Sequence, residues 1–211
     1  MEPLSPESYI ETLFVLDTQL EQVKDAIRLH RMPEISVAAG YGRLLTMLVK
    51  ISGAKHVLEI GALGGYSGLC LARGLQADGK LTSLERNEQF ALIAEHHLMQ
   101  AGFGEQVEYR IGEALIHLRE LVAMKARFDL VFIDADKVNY PNYLEMSLQL
   151  ANPGTIIIGD NTFMHGKTMN PQENKAAVLA MREFNQRIAT DPRLDSTLLP
   201  AYDGLAIARV K

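Results

Sequence analysis

The sequence predicts an α/β fold built around a mostly parallel sheet. Strands and helices alternate from His56 onward, the predicted strands are short apolar runs rich in β-branched residues, and Gly or Pro bounds several of them. Repeated βα units place helices on both faces of a parallel sheet. A chain of 211 residues suits one such unit, so we expect residues 1–211 to form a single domain.

The first 52 residues are predicted to form a helical lead-in to this sheet. Ser5 and Pro6 have the pattern of an N-cap followed by proline at the first helical position. Apolar residues recur at helical spacing over residues 9–27, which indicates one or two amphipathic helices. The glycines of Gly40-Tyr41-Gly42 are expected to interrupt the helical pattern, which resumes over residues 44–51.

Seven strands and five further helices follow in the predicted order. The strands are residues 56–60, 81–84, 107–111, 128–133, 155–159, 196–199 and 205–210. The helices are residues 65–74, 87–100, 114–124, 140–150 and 173–188. The last two strands flank a turn, so they read as a hairpin at the end of the chain.

The composition argues against several classes of protein. The chain is 47% hydrophobic and 22% charged, which excludes a disordered or collagen-like chain. A net charge of −5 with a pI of about 5.7 argues against a nucleic-acid partner. No apolar run approaches the roughly 20 residues of a membrane span, and no signal-peptide pattern is present. Cys70 has no second cysteine to pair with, so we expect a cytoplasmic protein.

Oxygen-bearing side chains follow two of the predicted strands. Asp134 comes directly after one apolar run, and Asp160 and Asn161 come after another. In an open α/β sheet, ligands bind outside the carboxyl ends of the strands. Carboxylate and amide oxygens suit Mg²⁺, Ca²⁺ or Mn²⁺. The alternative is that these residues simply end strands and begin turns.

A glycine-rich turn after the first strand predicts a site for a nucleoside-containing cofactor. The turn contains Gly61, Gly64 and Gly65, and Leu63 stands where the dinucleotide fingerprint needs its second glycine. This counts against NAD or FAD. Glu85, at the end of the second strand, is placed to accept hydrogen bonds from ribose hydroxyls.

The carboxylate of Glu59 also favours S-adenosylmethionine over a dinucleotide. A carboxylate would repel a pyrophosphate, but it suits a cofactor that carries an ammonium and a sulfonium. Ser67 and the helix start could receive the carboxylate of the same cofactor. The alternative for Glu59 is a surface acid at a strand end.

The chain resembles the cation-dependent O-methyltransferases, which include catechol O-methyltransferase and the caffeoyl-CoA O-methyltransferase group. The resemblance is carried by Leu58-Glu59-Ile60-Gly61, Gly65-Tyr66-Ser67, Phe132-Ile133-Asp134-Ala135-Asp136-Lys137, Asn139-Tyr140, Gly159-Asp160-Asn161-Thr162 and Leu199-Pro200-Ala201-Tyr202-Asp203-Gly204-Leu205. It implies a doubly wound, seven-stranded, mostly parallel sheet with an antiparallel last strand. It also implies a homodimer and a substrate site formed in part by residues 1–52. The Asp-Ala-Asp-Lys string favours the caffeoyl-CoA-like branch.

The resemblance implies specific roles for the site residues. The residues expected to contact the cofactor are Val37, Glu59, Gly61, Ala62, Gly65, Tyr66, Ser67, Glu85, Ala114, Asp134 and Asp136. The metal ligands are Asp134, Asp160 and Asn161, and the substrate contacts are Lys137, Asn161, His165 and Tyr202. The catalytic residues are Lys137, as general base, and Asp134. The alternative for Lys137 is an ion pair with Asp134 or Asp136.

These observations predict a metal-dependent O-methyltransferase that uses S-adenosylmethionine. A divalent ion bound to a phenol lowers its pKa of about 10 and orients its ring. Two adjacent hydroxyls can chelate the ion, so we expect a small catechol-like or vicinal-diol substrate. His165 stands where plant members have a substrate-contacting asparagine, which argues against a plant coenzyme-A ester. The alternatives are an NAD-dependent oxidoreductase and a non-catalytic binding protein that retains the fold.

Overall fold

The computed structural model describes residues 3–211 and places seven strands in one sheet. The strands are β1 (His56–Ile60), β2 (Lys80–Glu85), β3 (Val107–Ile111), β4 (Phe128–Ile133), β5 (Ala151–Asp160), β6 (Leu194–Leu199) and β7 (Leu205–Val210). Their order across the sheet is β3-β2-β1-β4-β5-β7-β6. Neighbours among β1 to β5 are parallel, and β7 is antiparallel to both β5 and β6. The expected seven-stranded sheet with an antiparallel last strand is therefore confirmed.

Helices precede the sheet and connect its strands. They are α1 (Pro6–Thr12), α2 (Thr18–Leu29), α3 (Ala39–Ser52), α4 (Tyr66–Ala72), α5 (Glu88–Gln100), α6 (Ala114–Ala123), α7 (Tyr140–Gln149) and α8 (Ala176–Thr190). Short 3-10 turns cover Gly104–Gln106, Lys137–Asn139 and Lys167–Met169. Within residues 3–211, no helix is both long enough and apolar enough to cross a membrane.

Apolar side chains cover both faces of the sheet. Along β1, Val57 packs in the core beneath α2, α3 and α4, whereas Leu58 and Ile60 pack in the core beneath α6, α7 and α8. Successive strand residues point to opposite faces, so a strand buried on both sides needs a continuous apolar run. This is why the strands were recognisable in the sequence, and it confirms the doubly wound arrangement.

The glycines of the Gly40-Tyr41-Gly42 segment do not interrupt a helix, so that expectation was wrong. Helix α3 begins at Ala39 and includes both glycines. They allow close packing: a Cβ on Gly40 would overlap the hydroxyl of Tyr202, and a Cβ on Gly42 would lie 2.9 Å from Sγ of Cys70. Glycine is needed at these two positions because α3 packs closely against Tyr202 and Cys70. A local sequence pattern does not reveal such contacts between distant segments.

The apolar repeat of the lead-in is buried only in its second half. Leu20, Val23 and Ile27 of α2 are buried in the core, as predicted. By contrast, Tyr9 of α1 and Leu13, which follows that helix, are exposed, and no residue of α1 is buried. The predicted stretch is therefore two helices with different roles, and only α2 is anchored by the core.

The carboxyl ends of β1 and β4 meet where the strand order reverses, which is the expected ligand crevice of such a sheet. The chain leaves β1 through Gly61, whose φ of 101° lies in the region that favours glycine. A Cβ at this position would overlap the carbonyl oxygen of Asp134. Gly61 therefore brings the end of β1 against the end of β4.

Candidate active site

A cleft of about 860 Å³ opens at the carboxyl ends of the parallel strands. Gly61, Glu85, Asp134 and Asp160, which end or follow β1, β2, β4 and β5, all border it. Because of the strand order, the segment after β3 lies at one end of the cleft and the β6–β7 turn, with Tyr202, at the other. The ends of β4 and β5 lie between them.

Two carboxylates and an amide meet at the ends of β4 and β5. Nζ of Lys137 donates to Oδ1 of Asp134 at 2.7 Å and to Oδ1 of Asn161 at 3.0 Å. A cationic group therefore already lies between two of the predicted metal donors. The structure shows the ion pair between Lys137 and Asp134 that was the alternative to a general-base role.

Asp160 is almost fully buried beside these groups. Burial, and next the charge of Asp134, raise the pKa of Asp160 to about 7. Its Oδ1 accepts a hydrogen bond from the backbone N–H of Asn161 at 2.8 Å. Among residues 3–211, no three His, Cys, Asp or Glu side chains gather as a metal site, so the donor set is two carboxylates and one amide. That set of hard oxygen donors fits Mg²⁺ or Ca²⁺.

The glycine turn is tied to the end of β2 by Glu85. Oε2 of Glu85 accepts hydrogen bonds from the backbone N–H groups of Ala62 at 3.1 Å and Leu63 at 2.9 Å. Its Oε1 accepts from the N–H of Asn87 at 2.9 Å. The carboxylate still borders the cleft, and Oε1, which accepts only one of these hydrogen bonds, keeps a second lone pair for a ligand hydroxyl.

Glu59 lies beneath the cleft and is fully buried, so the alternative of a surface acid was wrong. Ser67 donates to its Oε1 at 2.6 Å and Ser83 donates to its Oε2 at 2.5 Å. Burial raises the pKa of Glu59 to about 7, against the lowering effect of these two hydrogen bonds. The hydroxyl of Ser67 is thus directed to Glu59 and not to the cleft.

The predicted site residues separate into two groups. Those that border the cleft are Gly61, Glu85, Ala114, Asp134, Asp136, Lys137, Asp160, Asn161, His165 and Tyr202. Those that lie beneath it, all buried, are Val37, Glu59, Ala62, Gly65, Tyr66 and Ser67. The first group can contact ligands directly, and the second shapes the backbone that does so.

Comparisons with known proteins identify the family. A sequence profile of the O-methyltransferase family matches residues 11–211. Catechol O-methyltransferase of Niastella koreensis is 39% identical over 186 residues, covering 85% of this chain and 84% of that protein. Caffeoyl-CoA O-methyltransferase 2 of Zea mays is 33% identical over 213 residues, covering 93% and 81%. The crystal structure of an O-methyltransferase from Bacillus cereus in complex with SAH has a TM-score of 0.90 at 40% identity, covering 97% of this chain and 96% of that chain.

This chain belongs to the O-methyltransferase family. The predicted enzyme class, an S-adenosylmethionine-dependent O-methyltransferase, is confirmed. The NAD-dependent oxidoreductase that the sequence left open is set aside. Both catechol and caffeoyl-CoA enzymes appear among the relatives, so membership of the family does not identify the methyl acceptor. The acceptor has to be inferred from the chemistry of the cleft.

Tyr140 has a role in this O-methyltransferase that the sequence did not reveal. The side chain is fully buried, and its hydroxyl accepts from Nζ of Lys137 at 2.6 Å. The same hydroxyl lies 3.1 Å from the carbonyl oxygen of Ile133 and 3.0 Å from that of Asp160. Having one proton, it donates to one carbonyl at a time. Tyr140 thereby links the ends of β4 and β5 to the lysine.

Several other polar contacts hold the cleft walls. Tyr143 donates to Oδ1 of Asp136, and Nδ2 of Asn139 donates to Oδ2 of Asp136 at 2.7 Å. The backbone N–H of His165 donates to Oδ1 of Asp203 at 2.6 Å, while the imidazole of His165 is exposed. In the sequence, the only sign of these contacts is that the residues lie within a few positions of the strand ends.

Proposed function

We propose that this protein transfers a methyl group from S-adenosylmethionine to a hydroxyl of a small catechol-like aromatic compound, with the help of a divalent cation. The observation that carries the proposal is the convergence of Asp134, Asp160 and Asn161 around Lys137, beside the glycine turn and Glu85. Membership of the family indicates the reaction type. The oxygen donors suit a divalent cation, and a bound cation favours an acceptor whose two adjacent hydroxyls can chelate it.

The cofactor would occupy the end of the cleft above β1, β2 and β3. Glu85 would accept from the ribose hydroxyls, and Ala114 would lie by the adenine. Asp136, held by Tyr143 and Asn139, would face the positive end of the methionine portion. The SAH complex of the Bacillus cereus relative supports S-adenosylmethionine as the methyl donor.

Asp134, Asp160 and Asn161 would hold the cation, and Mg²⁺ is the ion that we propose, with Ca²⁺ or Mn²⁺ as substitutes. When bound, a divalent cation supplies positive charge that lowers the pKa of a phenol and fixes the orientation of its ring. It also compensates the two carboxylates that the strand ends bring together. Lys137 contacts the same oxygens, so the cation and the ammonium compete for them.

Lys137 and Asp134 would carry the catalysis. As the acceptor oxygen bonds to the methyl carbon, the bond from that carbon to sulfur would break and the hydroxyl proton would pass to Nζ of Lys137. Lys137 would first lose one proton to solvent, once the cation takes its place beside Asp134. The hydroxyl of Tyr140 accepts from Nζ and so keeps the base near the strand ends. Positioning of this kind can supply roughly 7–11 kcal/mol of the barrier reduction.

A methylation assay on a panel of phenols tests the proposal. We expect methylated product from catechol and 3,4-dihydroxybenzoate, no product from phenol, loss of activity with EDTA and recovery with Mg²⁺. Activity that EDTA leaves unchanged would contradict the metal role. Binding of S-adenosylmethionine without methylation of any panel member would favour the non-catalytic alternative.

We also propose a cytoplasmic homodimer. The segment after α1 exposes a run of apolar side chains, with Leu13, Phe14, Val15 and Leu16 exposed by 62, 51, 95 and 69%. A run this apolar is typical of a surface that a partner covers. Cys70, the single cysteine, is buried and unpaired, as expected in a reducing compartment. Analytical ultracentrifugation should give twice the chain mass, and Val15→Asp should shift it toward the monomer.

A further inference from the structure

Helix α1 is held in place by polar contacts rather than by the core. None of its residues is buried. A helix of seven residues is unstable in isolation, so its position must depend on the side chains that contact it. Its partners are α3 and the β6–β7 turn, which are elements that border the cleft.

Glu11 makes most of these contacts. Its carboxylate accepts a bidentate pair of hydrogen bonds from Arg43, at 3.0 Å and 2.9 Å, and its Oε1 also accepts from the hydroxyl of Tyr202 at 2.8 Å. The guanidinium of Arg43 lies 3.8 Å from the ring centre of Phe14. The pKa of Glu11 is lowered, chiefly by the hydrogen bonds from Arg43 and also by those from Tyr202 and the backbone N–H of Gly40. A charged carboxylate is therefore central to the contact.

Tyr202 is enclosed on its other side by α3. Its hydroxyl occupies the space that a Cβ on Gly40 would take, and its ring makes an edge contact with Tyr41 at 4.9 Å between ring centres. The hydroxyl of Tyr41 donates to the carbonyl oxygen of Ala201 at 2.5 Å. The hydroxyl of Tyr202 is thus committed to Glu11, while its ring borders the cleft.

The turn that contains Tyr202 also holds the loop that follows the metal donors. The N–H of His165 donates to the carboxylate of Asp203 at 2.6 Å, and the N–H of Phe163 donates to the carbonyl of Asp203 at 3.0 Å. Met164 and His165 have φ of 49° and 54°, a conformation unfavourable for residues with side chains. Such a loop needs tethers, and the turn supplies them.

We propose that Glu11 is a positioning residue for methyl transfer. It holds Tyr202 against the acceptor end of the cleft and, through the Tyr202 turn, keeps the loop after Asn161 in its unfavourable conformation. Its effect is on where the acceptor ring lies, and not on the cofactor, because the cofactor end is on the opposite side of the metal donors. The inference rests on the proposed function for its catalytic consequence.

The test compares Glu11→Gln, Tyr202→Phe and the double variant with the wild type, using 3,4-dihydroxybenzoate as acceptor. The ratio of the two monomethylated products reports ring orientation and does not depend on the fraction of active enzyme. Glu11→Gln should raise KM for the acceptor about fivefold, leave kcat within about twofold and bring the product ratio closer to one. The Kd for S-adenosylmethionine should stay the same. The double variant should match Glu11→Gln, because the interaction that Tyr202→Phe removes is already weakened in that variant.

Asp25→Asn provides the matched control, because Asp25 forms an exposed ion pair with Arg28 on α2 that does not border the cleft. It should leave KM and the product ratio unchanged. If Glu11→Gln lowers Tm but changes neither quantity, Glu11 has a structural role only and the inference is wrong. Additive effects in the double variant would also overturn it.

Hydrogen–deuterium exchange separates this inference from the proposed function. Exchange in residues 162–166 and 202–204 should be faster in Glu11→Gln than in the wild type or Asp25→Asn. If the wild type methylates no catechol, the proposed function fails, and the exchange data still decide whether Glu11 holds the turn. Unchanged exchange at both segments would contradict the inference whatever the activity.

Discussion

The two ends of the cleft are built in different ways. At the end above β1 to β3, buried side chains and backbone geometry fix the walls: Gly61 fits against the carbonyl of Asp134, and Glu59 is fully buried between Ser67 and Ser83. At the other end, half-buried segments are joined by polar contacts, such as Glu11 to Tyr202 and His165 to Asp203. We infer that the cofactor end is rigid and the acceptor end adaptable, as suits a family with one cofactor and many acceptors.

The proposed metal donors lie between the two ends, and their loss should have the largest effect. Asp160→Ala should lower kcat about 10³-fold, because it removes a ligand of the cation whose charge stabilises the reaction. Its effect on stability should be small by comparison, since burial already disfavours the charged form of Asp160 and the variant loses only the hydrogen bond from the N–H of Asn161. Steady-state kinetics with Mg²⁺, Mn²⁺ binding and thermal unfolding are the measurements.

Asp129→Asn is the control for this variant, at the amino ends of the strands and away from the cleft. Asp129 lies on β4, and its Oδ2 accepts from the N–H groups of Lys55 at 2.9 Å and His56 at 2.8 Å. The variant should lower Tm and keep full activity per folded molecule. Full Mg²⁺-dependent activity in Asp160→Ala would refute the assignment of the metal site.

Gly61 tests the rigidity of the cofactor end. Gly61→Ala should cost about 3 kcal/mol or more of stability, because it combines a φ of 101° with overlap against the carbonyl of Asp134. Gly102→Ala is the matched control, with a φ of 88° and no atom within 4 Å of the added Cβ. It should cost only about 1 kcal/mol. Denaturant unfolding measures both, and equal losses would show that Gly61 tolerates a side chain.

Glu59 makes the stability of the cofactor end depend on pH. Its pKa is about 7 in the folded protein against 4.5 in the unfolded chain, so the folded protein holds one more proton between these values. The free energy of unfolding therefore falls as pH rises from 4.5 to 7, by on the order of 3 kcal/mol from this group. Glu59→Gln should flatten that dependence, because an amide does not titrate and Ser67 or Ser83 can turn to accept from it.

Guanidinium unfolding at pH 5 and pH 8, for the wild type and Glu59→Gln, measures this difference. The variant should gain stability relative to the wild type at pH 8. An identical change with pH in both proteins would show that the carboxylate of Glu59 ionises freely inside the fold.

The smallest effect is expected at the exposed edge of the acceptor end. His165→Ala should raise KM for the acceptor about two- to threefold with kcat unchanged. The imidazole is 85% exposed and its Nδ1 lies 3.8 Å from Oδ2 of Asp203, whereas the backbone N–H donates to Oδ1 of Asp203 at 2.6 Å. Asp203→Ala should have the larger effect, since it removes that tether. Measuring KM for the acceptor on both variants shows which effect is larger. A larger increase in His165→Ala would indicate that the imidazole binds the substrate directly.

The same contrast explains what the sequence could predict. The strands, the glycine turn and the acids at the strand ends are local patterns, and they predicted the sheet, its cleft and the meeting of Asp134, Asp160 and Asn161 at the strand ends. The acceptor end depends on contacts between distant segments: Glu11 and Tyr202 are 191 residues apart. Gly40 appeared to be a helix breaker because its partner, Tyr202, lies near the other end of the chain. The burial of Tyr140 beneath Lys137 likewise follows from the packing of α7 and α8, and not from its position in a motif.

A crystal structure with Mn²⁺, S-adenosylhomocysteine and catechol tests the central claim most directly. We expect one anomalous peak bound by Asp134, Asp160 and Asn161, with Nζ of Lys137 displaced from Asp134 and the ring hydroxyls of catechol on the metal. A peak elsewhere, or these three side chains directed away from one another with catechol bound, would contradict the account.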